Sequence, residues 1–317
     1  MLDRVIDTRY IPPQPYALDG HLGVREDGLD LRNVKLDLMG ARLGATGSVN
    51  FADRLLGSAF DVQLAGDDFS ALGRFEVIGN KLDMFVPGQA YQVTGRLMSQ
   101  TEGWALNDLK GRIGATDFDL NLLLSNQDQL VGSSIGFMIE GPGLSQLLAD
   151  KDGHFPVGAY RADGQVLLAK EHLNIHELNF STEKSQGELV LDIGWPIGDD
   201  IDLDFDLKVR GSDIRELLPD IAPFRPHAAG FELETVGKKH GKLLSLERLQ
   251  ADVGNLEIIT IGDFEEDIAG ERMDFAFSIV SPDISQLGRW NDEPLPAAAL
   301  DVKAEFSGNA QEFAIQN

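Results

Sequence analysis

The chain has 317 residues, is 43% hydrophobic, and carries 52 Asp and Glu against 27 Lys and Arg, for a net charge of −25. This charge repels phosphate backbones and argues against nucleic acid as a partner. It also opposes adsorption to an anionic membrane surface through a basic headgroup patch. The chain has no cysteine, which excludes disulfides, thiolate metal sites and cysteine nucleophiles.

In chain order, residues 1–27 carry Pro12, Pro13 and Pro15 and read as an irregular lead-in. There is no apolar signal-peptide core at the start and no run of about 18 apolar residues anywhere, so no helical membrane span is expected. The last residues, Phe313–Asn317, read as an interrupted strand, which suggests a fragment of a longer protein.

From residue 28 the chain repeats. One pattern, an apolar strand end followed by a short Ser/Asp-led apolar turn, occurs as LAGDDFSALGRF (64–75), IEGPGLSQLLAD (139–150), VRGSDIRELLPD (209–220) and IVSPDISQLGRW (279–290). The leading residues, Leu64, Ile139, Val209 and Ile279, are 75, 70 and 70 positions apart. A second pattern, two apolar residues separated by two spacers, keeps step with it at Leu31/Val34, Leu106/Leu109, Ile175/Leu178 and Leu246/Leu249. Two patterns sharing one period point to structural repeats.

Between the markers the chain alternates. Phe60, Val62 and Leu64, then Phe118, Leu120, Leu122 and Leu124, then Ile201, Leu203, Phe205 and Leu207, then Met273, Phe275 and Phe277 all recur with period two. This period gives each strand one apolar and one wet face. Helical spacing is confined to short turns, Ser145–Leu148 and Asp213–Leu218, with Ser145 and Asp213 as expected N-caps. The 34 glycines suit many turns.

The expected fold is all-β with a few short helices: an elongated antiparallel β-meander of repeating units of about 70 residues, each with about five strands and one short helix, curled into an open apolar groove. The expected organisation is a lead-in (1–27) and one continuous body (28–317), with repeats near 28–75, 76–150, 151–221 and 222–290 and a partial repeat at 291–317. About 20 strands at about 4.8 Å would span on the order of 100 Å. The alternating residues Phe60, Val62, Leu64, Phe118, Leu120, Leu122, Leu124, Ile201, Leu203, Phe205, Leu207, Met273, Phe275 and Phe277 are the candidates to line the groove. A groove of that length suits long apolar molecules, whereas a sandwich would bury the same residues in a dry core.

Other motifs weigh less. Gly132-Ser133-Ser134-Ile135-Gly136 matches a nucleophile elbow, but Ile135, Phe137 and Ile139 continue as a strand where the elbow needs a helix. His172 and His176 would bind zinc on a helix, but they lie in an alternating segment, about 13 Å apart along a strand. Asp199, Asp200, Asp202, Asp204 and Asp206 lack the loop glycine of a calcium site and read as a solvated face. GARLGATG (40–47) lacks the Lys-Ser/Thr of a phosphate loop. No catalytic residue, metal or cofactor is expected.

The segments DLRNVKLDLMGARLGATGSVNF (30–51), LAGDDFSALGRF (64–75), YQVTGRLMSQTEGWALNDLKGRIG (91–114), IEGPGLSQLL (139–148) and YRADGQV (160–166) resemble the AsmA family of Gram-negative envelope proteins. The resemblance extends over nearly the whole chain and rests on alternation and turn grammar, without a catalytic signature. It implies a periplasmic segment of a protein anchored in the inner membrane through a part outside this chain. It further implies phospholipid acyl chains and envelope proteins as partners, and a role in outer-membrane assembly and integrity. The rival expectation is a non-enzymatic scaffold that regulates outer-membrane protein assembly.

Overall fold

A computed structural model describes residues 16–38, 40–52, 55–74, 84–149, 158–194, 201–216, 223–267, 270–309 and 313–316. Most of these, 69%, lie in strands, and the strand pairings are antiparallel. The chain divides into two compact units: Met1–Asn126 with Leu144–Phe155, and Gln127–Gly143 with Pro156–Asn317.

In the first unit, β1 (Tyr16–Val24), β2 (Gly28–Leu38), β3 (Ala41–Asn50), β4 (Ala59–Gly66), β5 (Tyr91–Ser99), β6 (Gly103–Ile113) and β7 (Thr116–Ser125) pair in sequence, each antiparallel to the next. A 3₁₀ turn at Ser70–Arg74 follows β4, and the short helix α1 (Leu144–Leu147) also belongs to this unit. The region read as an irregular lead-in thus contains a full strand, β1. Residues 1–15, with the three prolines, lie outside the described residues.

In the second unit, β8 (Ser134–Gly141), β9 (Tyr160–Leu168), β10 (His172–Thr182), β11 (Ser185–Gly194) and β12 (Leu203–Gly211) pair in succession. After the small strand β13 (Phe224–Pro226), the meander continues from β12 to β14 (Phe231–His240), β15 (Leu243–Val253), β16 (Leu256–Asp267) and β17 (Gly270–Ser281). β13 forms a separate three-stranded sheet with β18 (Gly288–Trp290) and β19 (Glu293–Pro294). β20 (Leu300–Asn309) then pairs with β17, and β21 (Phe313–Gln316) with β20. Among the described residues no pairing joins β1 to β7 or β8 to β21, so neither sheet closes into a barrel.

The repeat is four strands followed by one short helix, where five strands were expected. It starts at Tyr16, Tyr91, Tyr160 and Phe231, where the turn markers had placed starts near 28, 76, 151 and 222. Each turn marker ends a fourth strand and opens a helical turn, at Ser70–Arg74, Leu144–Leu147, Ile214–Glu216 and Ile284–Gln286. Ser145 lies inside α1 and does not cap it. Asp213 does cap its turn: its Oδ1 accepts from the Arg215 backbone N–H at 3.2 Å, as Asp283 accepts from Ser285 at 3.1 Å.

The second marker is a β-bulge. Register shifts fall between Leu31 and Val34, Leu106 and Leu109, Ile175 and Leu178, and Leu246 and Leu249. In a regular strand, residues three apart face opposite sides; one extra residue in the ladder returns both to the same face. In the first three bulges the second spacer takes a left-handed conformation, Asn33 (φ 51°), Asp108 (φ 50°) and Glu177 (φ 52°). The neighbouring first strand presents a glycine to the bulge. A Cβ on Gly95 would lie 3.1 Å from the Leu109 Cα, and one on Gly164 equally close to the Leu178 Cα.

Many other glycines sit in strands opposite aromatic residues, a use beyond the turns expected of them. Gly66 faces Tyr91, Gly111 faces Phe118, Gly187 faces Phe180, Gly211 faces Phe231 and Gly237 faces Phe205. In each pair a Cβ on the glycine would fall within 2.3–2.7 Å of a ring atom. The ring covers the bare backbone opposite it, which protects the ladder that glycine would otherwise weaken.

Candidate functional site

Cross-strand registry places the alternating candidates on a single face within each unit. In the first, Phe60, Val62 and Leu64 on β4 stand opposite Leu97, Gly95 and Val93 on β5. Phe118, Leu120 and Leu122 on β7 stand opposite Gly111, Leu109 and Leu106 on β6, and Leu124 opposite Trp104. In the second, Leu203, Phe205 and Leu207 on β12 pair with Ile193, Leu191 and Leu189 on β11. Met273, Phe275 and Phe277 on β17 pair with Phe264, Gly262 and Thr260 on β16. Ile201 lies two residues before β12, half-buried and outside the ladder.

The face is only partly covered. All fourteen candidates are half-buried except Leu124, which is 44% exposed. The only fully buried side chains among the described residues are Ser58 and Ser281. A dry core would instead bury its largest apolar side chains.

Hydrophobic burial follows one rim within each unit. In a four-stranded repeat the first strand leaves a rim and the fourth returns to it, so the helical turns recur on that side. Among the described residues, eight of the nine buried hydrophobic ones (Ala41, Leu72, Tyr91, Ile113, Leu147, Val209, Ile214 and Phe231) lie at this rim or on its turns; Ala105 is the exception. In the first unit, Phe69 meets Phe85 and Tyr91 edge-to-face at 4.9 and 5.5 Å. In the second, Val209, Ile214 and Phe231 form a cluster to which Phe180, Leu207, Leu233 and Val253 add. The helical turns therefore wall off one side of the apolar face and leave its middle and opposite side accessible.

Polar anchors hold this wall. Asp213 is buried and bound by both arms of the Arg215 guanidinium at 2.8 and 2.7 Å, with Lys184 Nζ 3.7 Å away. The Arg215 hydrogen bond, above all, holds its carboxyl far below the usual range. The Ser70 and Ser285 hydroxyls lower Asp68 and Asp283 in the same way. Burial raises the Tyr91 phenol, with help from Asp67 and Asp68.

The opposite face is wet. Asp204 stands across from Asp192 and Lys238, and Lys238 Nζ reaches Glu247 at 3.1 Å. Asp199 and Asp200 lie outside the described residues. His172 and His176 both lie in β10; His172 Nδ1 is 2.8 Å from Asp192 Oδ1. Among the described residues no group of three or more His, Asp or Glu is placed to hold a metal ion. Ser134 opens strand β8, without the strand-to-helix turn of a nucleophile elbow.

Sequence reading missed much of this face. Leu36 and Leu43 (β2/β3), Val93 (β5), Leu189 and Leu191 (β11), and Leu246 and Leu249 (β15) all belong to it. Bulges and glycines interrupt the alternation that would have marked β2, β5 and β15; the i, i+3 apolar pairs were the available signal. Among the described residues a single cation, Lys239 on β14, also lies on the face, opposite Leu203 and Leu244.

No protein-family model, curated protein or solved structure matches the chain.

Proposed function

We propose that the chain binds phospholipid acyl chains along the apolar face of its sheets and conducts them, as an AsmA-like periplasmic segment supporting outer-membrane assembly. The parent protein would be anchored in the inner membrane through a part outside this chain. The observation that carries this reading is the apolar face of each unit, whose side chains stay half-exposed and which is walled on one rim by the helical turns. Each methylene buried against such a face contributes about 0.8 kcal/mol. About a dozen methylenes then supply on the order of 10 kcal/mol before the entropy of immobilising the chain is subtracted. The face needs no covalent chemistry to do this.

The test is to export the chain to a bacterial periplasm, purify it without detergent, and examine it by native mass spectrometry with lipid extraction. Several phospholipids should travel with each chain and be lost in a Leu203→Asp, Phe205→Asp double variant. A folded, lipid-free protein would overturn the reading in favour of the scaffold. One observation favours that second reading: β1 has one paired neighbour among the described residues and exposes Leu18, Leu22 and Val24, as an edge open to a partner strand would.

A further inference from the structure

We infer that Lys239 gives the second unit a preference for anionic amphiphiles, seating their phosphate or carboxylate headgroup at the open rim of the apolar face. This rests on the acyl-chain reading above and adds headgroup selectivity to it.

The repeat itself supplies the comparison. In each unit of four strands, the last apolar-face residue of the first strand pairs with a residue two positions before the bulge marker. The pairs are Val24↔Leu29, Ser99↔Trp104, Leu168↔Leu173 and Lys239↔Leu244. Three copies place an apolar or small residue there, and the fourth places a cation. Lys239 is half-buried and lies across from Leu203 on its other side, so its methylene stem runs over apolar surface while the ammonium reaches toward water.

Its neighbours in the same hairpin behave differently. Lys238 projects to the wet face and pairs with Glu247, and His240 lies 3.2 Å from Asp202. Lys239 makes no ion pair with any described residue, in a chain with almost twice as many acids as bases. The hairpin lies at the rim opposite the helical turns, where the face is not walled. An amphiphile lying on Leu203 and Phe205 would bring its headgroup to Lys239. Beside low-dielectric surface, a charge-assisted contact there is stronger than in bulk water.

The test uses the purified, delipidated full chain, titrated calorimetrically with lysophosphatidylglycerol and, separately, lysophosphatidylcholine of the same acyl length. The anionic lipid should bind about tenfold more tightly, as expected for one charge-assisted contact. Lys239→Leu should abolish that preference while leaving lysophosphatidylcholine binding intact, and Lys239→Arg should retain it. Equal binding of the two lipids by the parent chain, or a preference that survives Lys239→Leu, overturns the inference and leaves the acyl-chain reading standing. Binding of neither lipid removes both. Displacement of the anionic lipid by millimolar inorganic phosphate would mark a bare anion site and also overturn it.

Discussion

At the scale of single residues, the face is less uniform than a hydropathy pattern suggests. Thr235 sits on it between Leu207 and Leu249, 8% exposed, with an Oγ1 that finds no partner. A buried hydroxyl without a partner costs about 1–3 kcal/mol, and valine has the same shape. Thr235→Val should therefore raise the denaturant midpoint by about 1 kcal/mol of stability at unchanged m-value. Asp213 behaves in the opposite sense, since its charge is what stabilises. Its folded pKa lies below its unfolded value, so its contribution is complete above about pH 4 and is lost as the pH falls through the folded value. Asp68 and Asp283 share the sign. In acid titrations followed by denaturant melts, Asp213→Asn should start less stable at pH 7 and decline less steeply than the parent below about pH 4. Parallel curves would show that Asp213 does not carry this dependence.

At the scale of elements, the bulge is the device that makes the repeat recognisable. The pairs Leu106/Leu109 and Ile175/Leu178 were visible in the sequence, but their meaning was not, because i, i+3 spacing breaks the period of a regular strand and, as a lone pair within alternating sequence, does not make a helix face. Only the register shows the odd residue being absorbed, with a glycine of the adjoining strand making room. Gly95→Ala and Gly164→Ala would each push a methyl to 3.1 Å from a backbone Cα. Each should cost about 1–3 kcal/mol, as other insertions into close-packed positions do, measurable by thermal or chemical melts. A neutral result would mean that the bulge does not depend on the close approach.

At the scale of the whole molecule, a net charge of −25 on 317 residues is a standing electrostatic strain. Surface ion pairs, such as Arg112–Asp117 at 2.7 Å on the wet face and Arg225–Asp292 at 2.6 Å in the small three-stranded sheet, are exposed and contribute little. Repulsion among unpaired acids should dominate. Raising the salt from about 0.01 M to about 1 M shortens the Debye length from about 30 Å to about 3 Å. The melting temperature should rise over that range, and a fall would show that the ion pairs outweigh the repulsion.

The sequence by itself determined that the chain is a repeated antiparallel sheet with one apolar and one acidic face. Alternation has the period of the strand, and a marker spaced 75, 70 and 70 residues apart reports a recurring turn. Phe205 and Phe275 were legible as members of that face for this reason. Tertiary structure decided the rest. Four strands per repeat, Tyr16–Val24 as a strand, and the glycines beneath Tyr91, Phe118 and Phe205 all depend on pairing between strands, which a single strand's pattern does not encode. The same holds for the rim walled by Leu72, Leu147 and Ile214, and for Lys239 lying on the apolar face. Side-chain direction follows from local periodicity; what stands across the ladder, and what covers the face, is set by registry between strands.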